Sequence, residues 1–283
     1  MACQPQLTEN GEMPLLVYLD QLHLGDMTEE QLGVLTKMVD DDIIVVPSSD
    51  IHLIETIKQT TRFRPETLRR ISALRRNLVL LPEVVVLALE WLASRGCGSV
   101  REHIVGLSPG QGVVWDGAVA DAVEMAGEVL DDDSGTKVAE ATRASFQDAA
   151  ANLEALKRVT VQHIREQLFL GLGMLDISPH PTLDDLPTDE EALAVMFPSI
   201  GLRRAFLAHA KQLEPNDIAD LSFICRTVPH FDVVAVDRKM HDRLHATRGR
   251  LSTALVQSLF RARIVRTSAH AIDAILALTQ LER

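Results

Sequence analysis

Two short apolar runs, each closed by an aspartate, constrain the fold of this chain most strongly. The first is LLVYLD (15–20) and the second is DVVAVD (232–237), near opposite ends of a sequence of 283 residues. Short runs of apolar and β-branched residues predict buried β-strands. IIVVP (43–47) is another such run, and ARIVRT (262–267) predicts a last strand.

Helical patterns alternate with these runs at both ends of the chain. They are MTEEQLGVLTKMVDDD (27–42), SSDIHLIETIKQ (48–59) and SAHAIDAILALTQL (268–281). Alternation of strands and helices indicates a parallel sheet of the α/β class. The sequence between is mostly helical in pattern. We therefore expect one α/β domain built from residues 14–94 and 211–283, with residues 95–210 as a long, mostly helical insertion.

Two segments have less decisive patterns. NLVLLP (77–82) fits a third strand, but the whole of 78–94 also fits one buried helix, and periodicity does not separate the two. Residues 171–191, rich in Gly, Pro and Asp, predict an exposed loop. Within that loop, the glycine pair of GLGML (171–175) predicts a turn.

Composition indicates a soluble protein of a reducing cytoplasm. The three cysteines are scattered, so they predict neither a disulfide framework nor a cysteine zinc site. The N-terminus has no secretion-signal pattern. The most apolar segment (77–93) is interrupted by Pro82, Glu83 and Glu90, so it falls short of a membrane span of about 20 apolar residues. We expect no membrane partner.

The charge is distributed unevenly. A net charge of −12 argues against non-specific affinity for nucleic acid over the whole surface. However, residues 57–76 contain seven Lys/Arg and one Glu, and residues 238–266 contain eight Lys/Arg and one Asp. Residues 116–154, by contrast, contain ten Asp/Glu and two Lys/Arg. The two basic segments are either solvated helix faces or part of a surface that binds a polyanion.

The two strand-ending aspartates predict a site at one edge of the sheet. In open α/β sheets, ligands bind at the carboxyl ends of the strands. If the two strands are parallel neighbours, Asp20 and Asp237 emerge there within reach of one cation. Asp232 enters its strand at an odd separation from Asp237 and faces the opposite side, so it is the less favoured ligand.

Two helices offer further acids. Glu55 lies one turn into the helix after IIVVP, and Asp217 and Asp220 lie in the first turn of the helix that begins PND. Carboxylates that converge repel one another unless a cation joins them, and oxygen ligands suit Mg²⁺ or Mn²⁺. Each acid also has a simpler explanation, as a helix cap, a turn residue or a solvated helix residue.

The ordered set of acids resembles that of the PIN-domain family of metal-dependent nucleases, in particular its larger bacterial PIN-like members. The matching stretches are VYLDQ with Asp20, PSSDIHLIET with Glu55, NDIADLSFI with Asp220 and DVVAVDRKM with Asp237. The resemblance covers roughly residues 15–80 and 214–275 and leaves 95–210 unexplained. It implies a PIN-like parallel sheet flanked by helices.

The resemblance also implies a Mg²⁺- or Mn²⁺-dependent ribonuclease that cleaves single-stranded RNA. Asp20, Asp220 and Asp237 would bind the metal and Glu55 would complete the cluster, with Asp217 as a competitor of Asp220 and Asp232 as a peripheral group. The basic segments would bind RNA, and the residues that we expect to do so are Lys58, Arg62, Arg238 and Lys239.

The alternative is a catalytically silent PIN-like module that binds RNA or a protein. In either case, the helical insertion is a candidate surface for a homo-oligomer or a protein inhibitor. An aspartyl-phosphate phosphatase needs a second Asp two residues after the one that ends the strand, and Leu22 stands there.

Overall fold

The computed structural model describes residues 13–47, 64–74, 82–106, 144, 147–158, 160–177, 182–210 and 212–281. Three residues of the expected site, Glu55, Lys58 and Arg62, lie outside these ranges. Residues 77–81, whose pattern fits either a strand or the start of a buried helix, also lie outside these ranges.

The described strands form one four-stranded, all-parallel sheet in the order β2-β1-β3-β4. The strands are β1 (Leu15–Leu19), β2 (Ile44–Val45), β3 (Val233–Ala235) and β4 (Arg263–Val265). Strands from both ends of the chain therefore share one sheet, as expected. Leu19 at the end of β1 pairs with Ala235 at the end of β3.

Helices surround the sheet. In chain order they are α1 (Gln21–Asp26), α2 (Glu29–Asp40), α3 (Arg64–Ala73), α4 (Glu83–Ser94), α5 (Val100–Gly106), α6 (Leu153–Lys157), α7 (Val161–Met174), α8 (Glu190–Met196), α9 (Pro198–Ala208), α10 (Pro215–Thr227), α11 (Arg238–Arg248), α12 (Thr253–Leu259) and α13 (Ser268–Leu281). Local sequence fixes several starts. α2, for example, begins with a capping box in which Thr28 and Gln31 bond each other's backbone N–H groups.

Both faces of the sheet are buried at β1, β2 and β3, which is why these three strands are apolar throughout rather than alternating. On one face, Leu15, Val17 and Leu19 pack with residues of α2 and α13. On the other face, Leu16 and Tyr18 pack with residues of α4, α9 and α10. Each fully buried aliphatic side chain contributes roughly 1.5–3 kcal/mol. Helices from the expected insertion thus share a core with the sheet.

The described part of the undecided segment, residues 83–94, is the buried helix α4. The predicted loop at 171–191 was wrong at both ends, because α7 continues to Met174 and α8 begins at Glu190. Gly171 is a helical contact residue rather than part of a turn. A Cβ atom built on Gly171 would lie 1.8 Å from the carbonyl oxygen of Val84. The absence of a side chain at this position therefore lets α7 approach the backbone of α4.

Among the described residues, no helix combines the length and the apolar character needed to cross a membrane.

Candidate functional site at the carboxyl edge of the sheet

The strand order creates a crevice between β1 and β3. From β1 the chain moves to β2 on one side, and it later returns to place β3 on the other side. This reversal is the topological switch point, where open α/β sheets bind their ligands at the carboxyl ends of the strands. Asp20 directly follows β1 and Asp237 lies two residues after β3. The backbone N–H of Asp20 donates to the carbonyl of Ala235 across the two strands (3.1 Å).

Each of these two aspartates caps a helix that leaves the sheet. Asp20 Oδ1 accepts a hydrogen bond from the N–H of Gln21 (2.7 Å) at the start of α1. Asp237 Oδ1 accepts one from the N–H of Met240 (2.6 Å) at the start of α11. The positive end of a helix dipole favours a carboxylate at this position. Both side chains are partly exposed, so the sheet presents two fixed acidic groups at one edge.

Asp217 fits the simpler of its two sequence interpretations, because it takes part in the cap at the start of α10. Its side chain is nearly fully buried, with the residue only 3% exposed, and its Oδ2 accepts the N–H of Glu214 (2.8 Å) at the start of α10. Its Oδ1 lies 2.9 Å from Lys239 Nζ and 2.8 Å from a terminal nitrogen of Arg243, both on α11. Burial raises the pKa of Asp217, but these hydrogen bonds outweigh burial and hold the pKa below its usual value. Asp217 therefore joins α10 to α11.

Asp232 lies at the opposite edge of the sheet from Asp20 and Asp237, because it precedes β3 whereas they follow strands. Its carboxylate accepts the N–H of Leu16 (2.8 Å) and lies within 3.3 Å of Arg101 and 3.6 Å of Arg261. The structure thus does not bring Asp232 to the candidate site, and its interactions anchor the amino ends of the strands.

Asp220 lies on α10, three residues beyond Asp217, and is partly exposed. Within the described part of the chain, no group of three or more His, Cys, Asp or Glu side chains is placed to hold a metal ion. Asp20, Asp220 and Asp237 therefore do not form such a group by themselves.

The expected RNA-binding residues have different surroundings. The side chain of Arg238 is 84% exposed, and its nearest acidic partner, Asp242, is 4.0 Å away. Lys239, in contrast, is held by Glu214 (2.7 Å) and Asp217, in that order of influence, and both contacts raise its pKa. The ammonium group of Lys239 therefore joins α11 to the start of α10 through two ion pairs.

The first basic segment is partly structural. In its described portion, Arg70 donates to the carbonyl groups of Leu24 and Gly25 at the end of α1 and pairs with Glu66. Arg69 also bonds Glu66, and these hydrogen bonds lower the pKa of Glu66 to about 2. Arg70 thus holds α3 on α1, and Arg69, which also pairs with Glu29, holds α3 on α2.

A histidine that the sequence reasoning missed lies one helical turn beyond Asp237. The Nε–H of Arg266, the residue after β4, donates to His241 Nδ1 (2.9 Å), while a terminal nitrogen of Arg266 bonds Asp242. Burial is the largest influence on His241 and lowers its pKa. Because the Nε–H of Arg266 donates to Nδ1, the proton of the ring is placed on Nε2. The sequence did contain a hint of this contact. His241 lies four residues, or about one helical turn, after Asp237, and Arg266 directly follows the next strand.

Comparisons of the chain with protein families, with characterised proteins and with solved structures give no match.

Proposed function

We propose that this protein is a Mg²⁺- or Mn²⁺-dependent nuclease of the PIN-like type that hydrolyses phosphodiester bonds of single-stranded RNA. One observation carries the proposal: Asp20 and Asp237 follow neighbouring parallel strands at the switch point of the sheet. Two carboxylates fixed at such a crevice are the minimum from which an acidic nuclease site can be built.

The ligand chemistry fits a hard cation. Mg²⁺ commonly binds proteins through one or two carboxylates and retains several waters. Asp20 and Asp237 would hold the cation, with Asp220 from α10 and Glu55 as further acids. A bound cation of this kind lowers the pKa of water and offsets negative charge on a phosphate. The protein fixes its carboxylates through the helix caps at α1 and α11, so little ordering is required on binding.

Basic residues beside this edge support RNA as the substrate. Arg238 follows Asp237 directly, its side chain is 84% exposed, and within the described ranges its ion pair is the long contact with Asp242 (4.0 Å). His241 would donate its Nε2–H to a phosphate oxygen, with Arg266 fixing the ring. Lys239 is a poorer choice for RNA contact, because Glu214 and Asp217 already hold it.

Asparagine substitutions test the proposal cleanly. Asn caps helices about as well as Asp, so Asp20→Asn and Asp237→Asn remove charge while keeping the caps. Labelled single-stranded RNA is incubated with each variant and Mn²⁺, with exposed Asp273 changed to Asn as the matched control. We expect cleavage to fall at least about 100-fold in the two site variants, at unchanged Tm, and to persist in the control. Equal cleavage by all four proteins rejects the assignment.

The second candidate is a catalytically silent PIN-like module that binds RNA or a protein, and two observations favour it. The described acids do not form a metal-binding group of three, and the negative charge of Asp217 is balanced by Lys239 and Arg243. Titration calorimetry with Mn²⁺ separates the two candidates. Binding that is lost in Asp237→Asn supports the nuclease, whereas RNA binding without any Mn²⁺ binding supports the silent module.

A further inference from the structure

A cleft of about 290 Å³ lies at the amino edge of the sheet, opposite to Asp20 and Asp237. Pro229 and His230, which precede β3, form part of its wall, as does Arg261, which precedes β4. The other walls come from α4, α5, α8 and α9. A volume of this size is at the lower end of the range for small-molecule sites, which is about 300–1,000 Å³.

A buried carboxylate lies in the wall of this cleft. The side chain of Glu90, on the otherwise apolar α4, is 0% exposed. Its Oε1 accepts the N–H of Ser199 (2.8 Å) and lies 2.7 Å from His230 Nε2, and its Oε2 accepts the Ser199 hydroxyl (2.8 Å). Buried charges of this kind are weak contributors to stability compared with apolar packing. A carboxylate that orients a histidine beside a cleft is instead typical of a functional site.

Two arginines are the cationic groups of the cleft. Arg101 and Arg261 both line it, and both face the single carboxylate of Asp232. Arg101 is fixed by the carbonyl of Pro14 (3.0 Å), and its buried Nε–H has no hydrogen-bond partner among the described residues. Arg261 is 48% exposed and its contact with Asp232 is long at 3.6 Å, so its guanidinium is free to turn toward a ligand.

The rest of the lining is largely apolar. Val100, Val195, Met196, Pro198 and Pro229 contribute to it. Val195 is 58% exposed, so this part of the apolar wall is open to solvent.

We propose that this cleft binds a small organic acid with one carboxylate and a compact apolar body. The carboxylate would pair with Arg261 and Arg101, since a guanidinium matches a carboxylate through two parallel hydrogen bonds. A dianionic phosphate fits less well, because two arginines already share one aspartate and Glu90 adds negative charge nearby. The proposal is independent of the nuclease function.

Thermal unfolding with matched probes tests this proposal. Sodium acetate, 3-methylbutanoate and benzoate are titrated at constant ionic strength, beside 3-methylbutanamide as the uncharged counterpart and inorganic phosphate as the dianion. We expect at least one apolar carboxylate to give a saturable rise in Tm of about 2 °C or more, and the amide to give none. Arg261→Gln is expected to raise the half-saturating concentration about tenfold or more.

Arg263→Gln is the matched control, since Arg263 is also an exposed arginine and lies only two residues away. It is expected to bind like the unsubstituted protein. The proposal is overturned if no carboxylate gives a saturable shift, if the amide stabilises as well as the acid, or if the two arginine variants behave alike. A shift with phosphate alone also overturns it, because the ligand class is then wrong.

Discussion

The contact of Gly171 with α4 provides a sharp test of how the helical segment packs on the rest of the fold. In Gly171→Ala, the new Cβ would lie 1.8 Å from the carbonyl oxygen and 2.5 Å from the carbonyl carbon of Val84. Both are backbone atoms, so relief requires the two helices to separate by more than about 1 Å, given that Cβ contacts below 3.0 Å essentially do not occur.

The magnitude follows from two opposing effects. Alanine is a better helix former than glycine by about 1 kcal/mol. Separating the helices loosens the buried contacts of Leu168 and Leu172 with α4, and forced overpacking costs about 3 kcal/mol or more at this severity. We therefore expect Gly171→Ala to lower the free energy of unfolding by at least about 2 kcal/mol.

Gly173 is the matched control, because it lies in the same helix and a Cβ atom added to it would have no neighbouring atom within 4 Å. Gly173→Ala is expected to raise the free energy of unfolding by about 0.5–1 kcal/mol, through helix propensity alone. Urea titrations followed by far-UV circular dichroism measure both variants. If Gly171→Ala is as stable as Gly173→Ala, the packing of α7 against α4 described above is refuted.

Three further outcomes are expected. Asp217→Asn should lower the free energy of unfolding at pH 7 by about 1–3 kcal/mol, because Lys239 and Arg243 lose the buried negative charge with which they pair. Since the folded-state pKa of Asp217 is lowered, its stabilisation is present above the unfolded pKa and lost as pH falls through the folded one. Urea midpoints of the two proteins should therefore converge below about pH 4, and a constant gap would contradict the ion-pair explanation. Glu90→Leu should lower the free energy of unfolding by about 2–4 kcal/mol in urea titrations, because the backbone N–H and the hydroxyl of Ser199 would lose their buried acceptor; an unchanged midpoint would contradict this. Arg238→Gln should weaken RNA binding and reduce its salt dependence without changing Tm, as measured by fluorescence anisotropy; an unchanged salt dependence would show that Arg238 does not contact phosphate.

The strands and the positions of the two central acids could be predicted from the sequence because their signals are local. An apolar run of about five residues closed by an aspartate specifies both a buried strand and the edge where the carboxylate emerges, as at Asp20 and Asp237. The sequence alone does not show that β1 pairs with β3, so this pairing was assumed, and the structure confirms it.

The remaining features depend on partners distant in the chain. Asp217 has the pattern of a helix cap, and it is one, but Lys239 and Arg243 reach it only because α11 packs on α10. Gly171 carries the local signature of a turn, and its contact with Val84 explains why a glycine stands inside a helix instead.

Glu90 gave a usable signal that the sequence reasoning left undeveloped. An acid within an apolar helix requires buried partners, although the sequence does not identify Ser199 and His230 as those partners.

The most direct test of the central claim is a crystal structure of the protein soaked in Mn²⁺, with anomalous diffraction measured at the manganese edge. We predict an anomalous peak within about 2.0–2.3 Å of carboxylate oxygens of both Asp20 and Asp237. Its absence from that edge at saturating Mn²⁺, or a peak bound only by other acids, would contradict the claim that these two aspartates form a cation site.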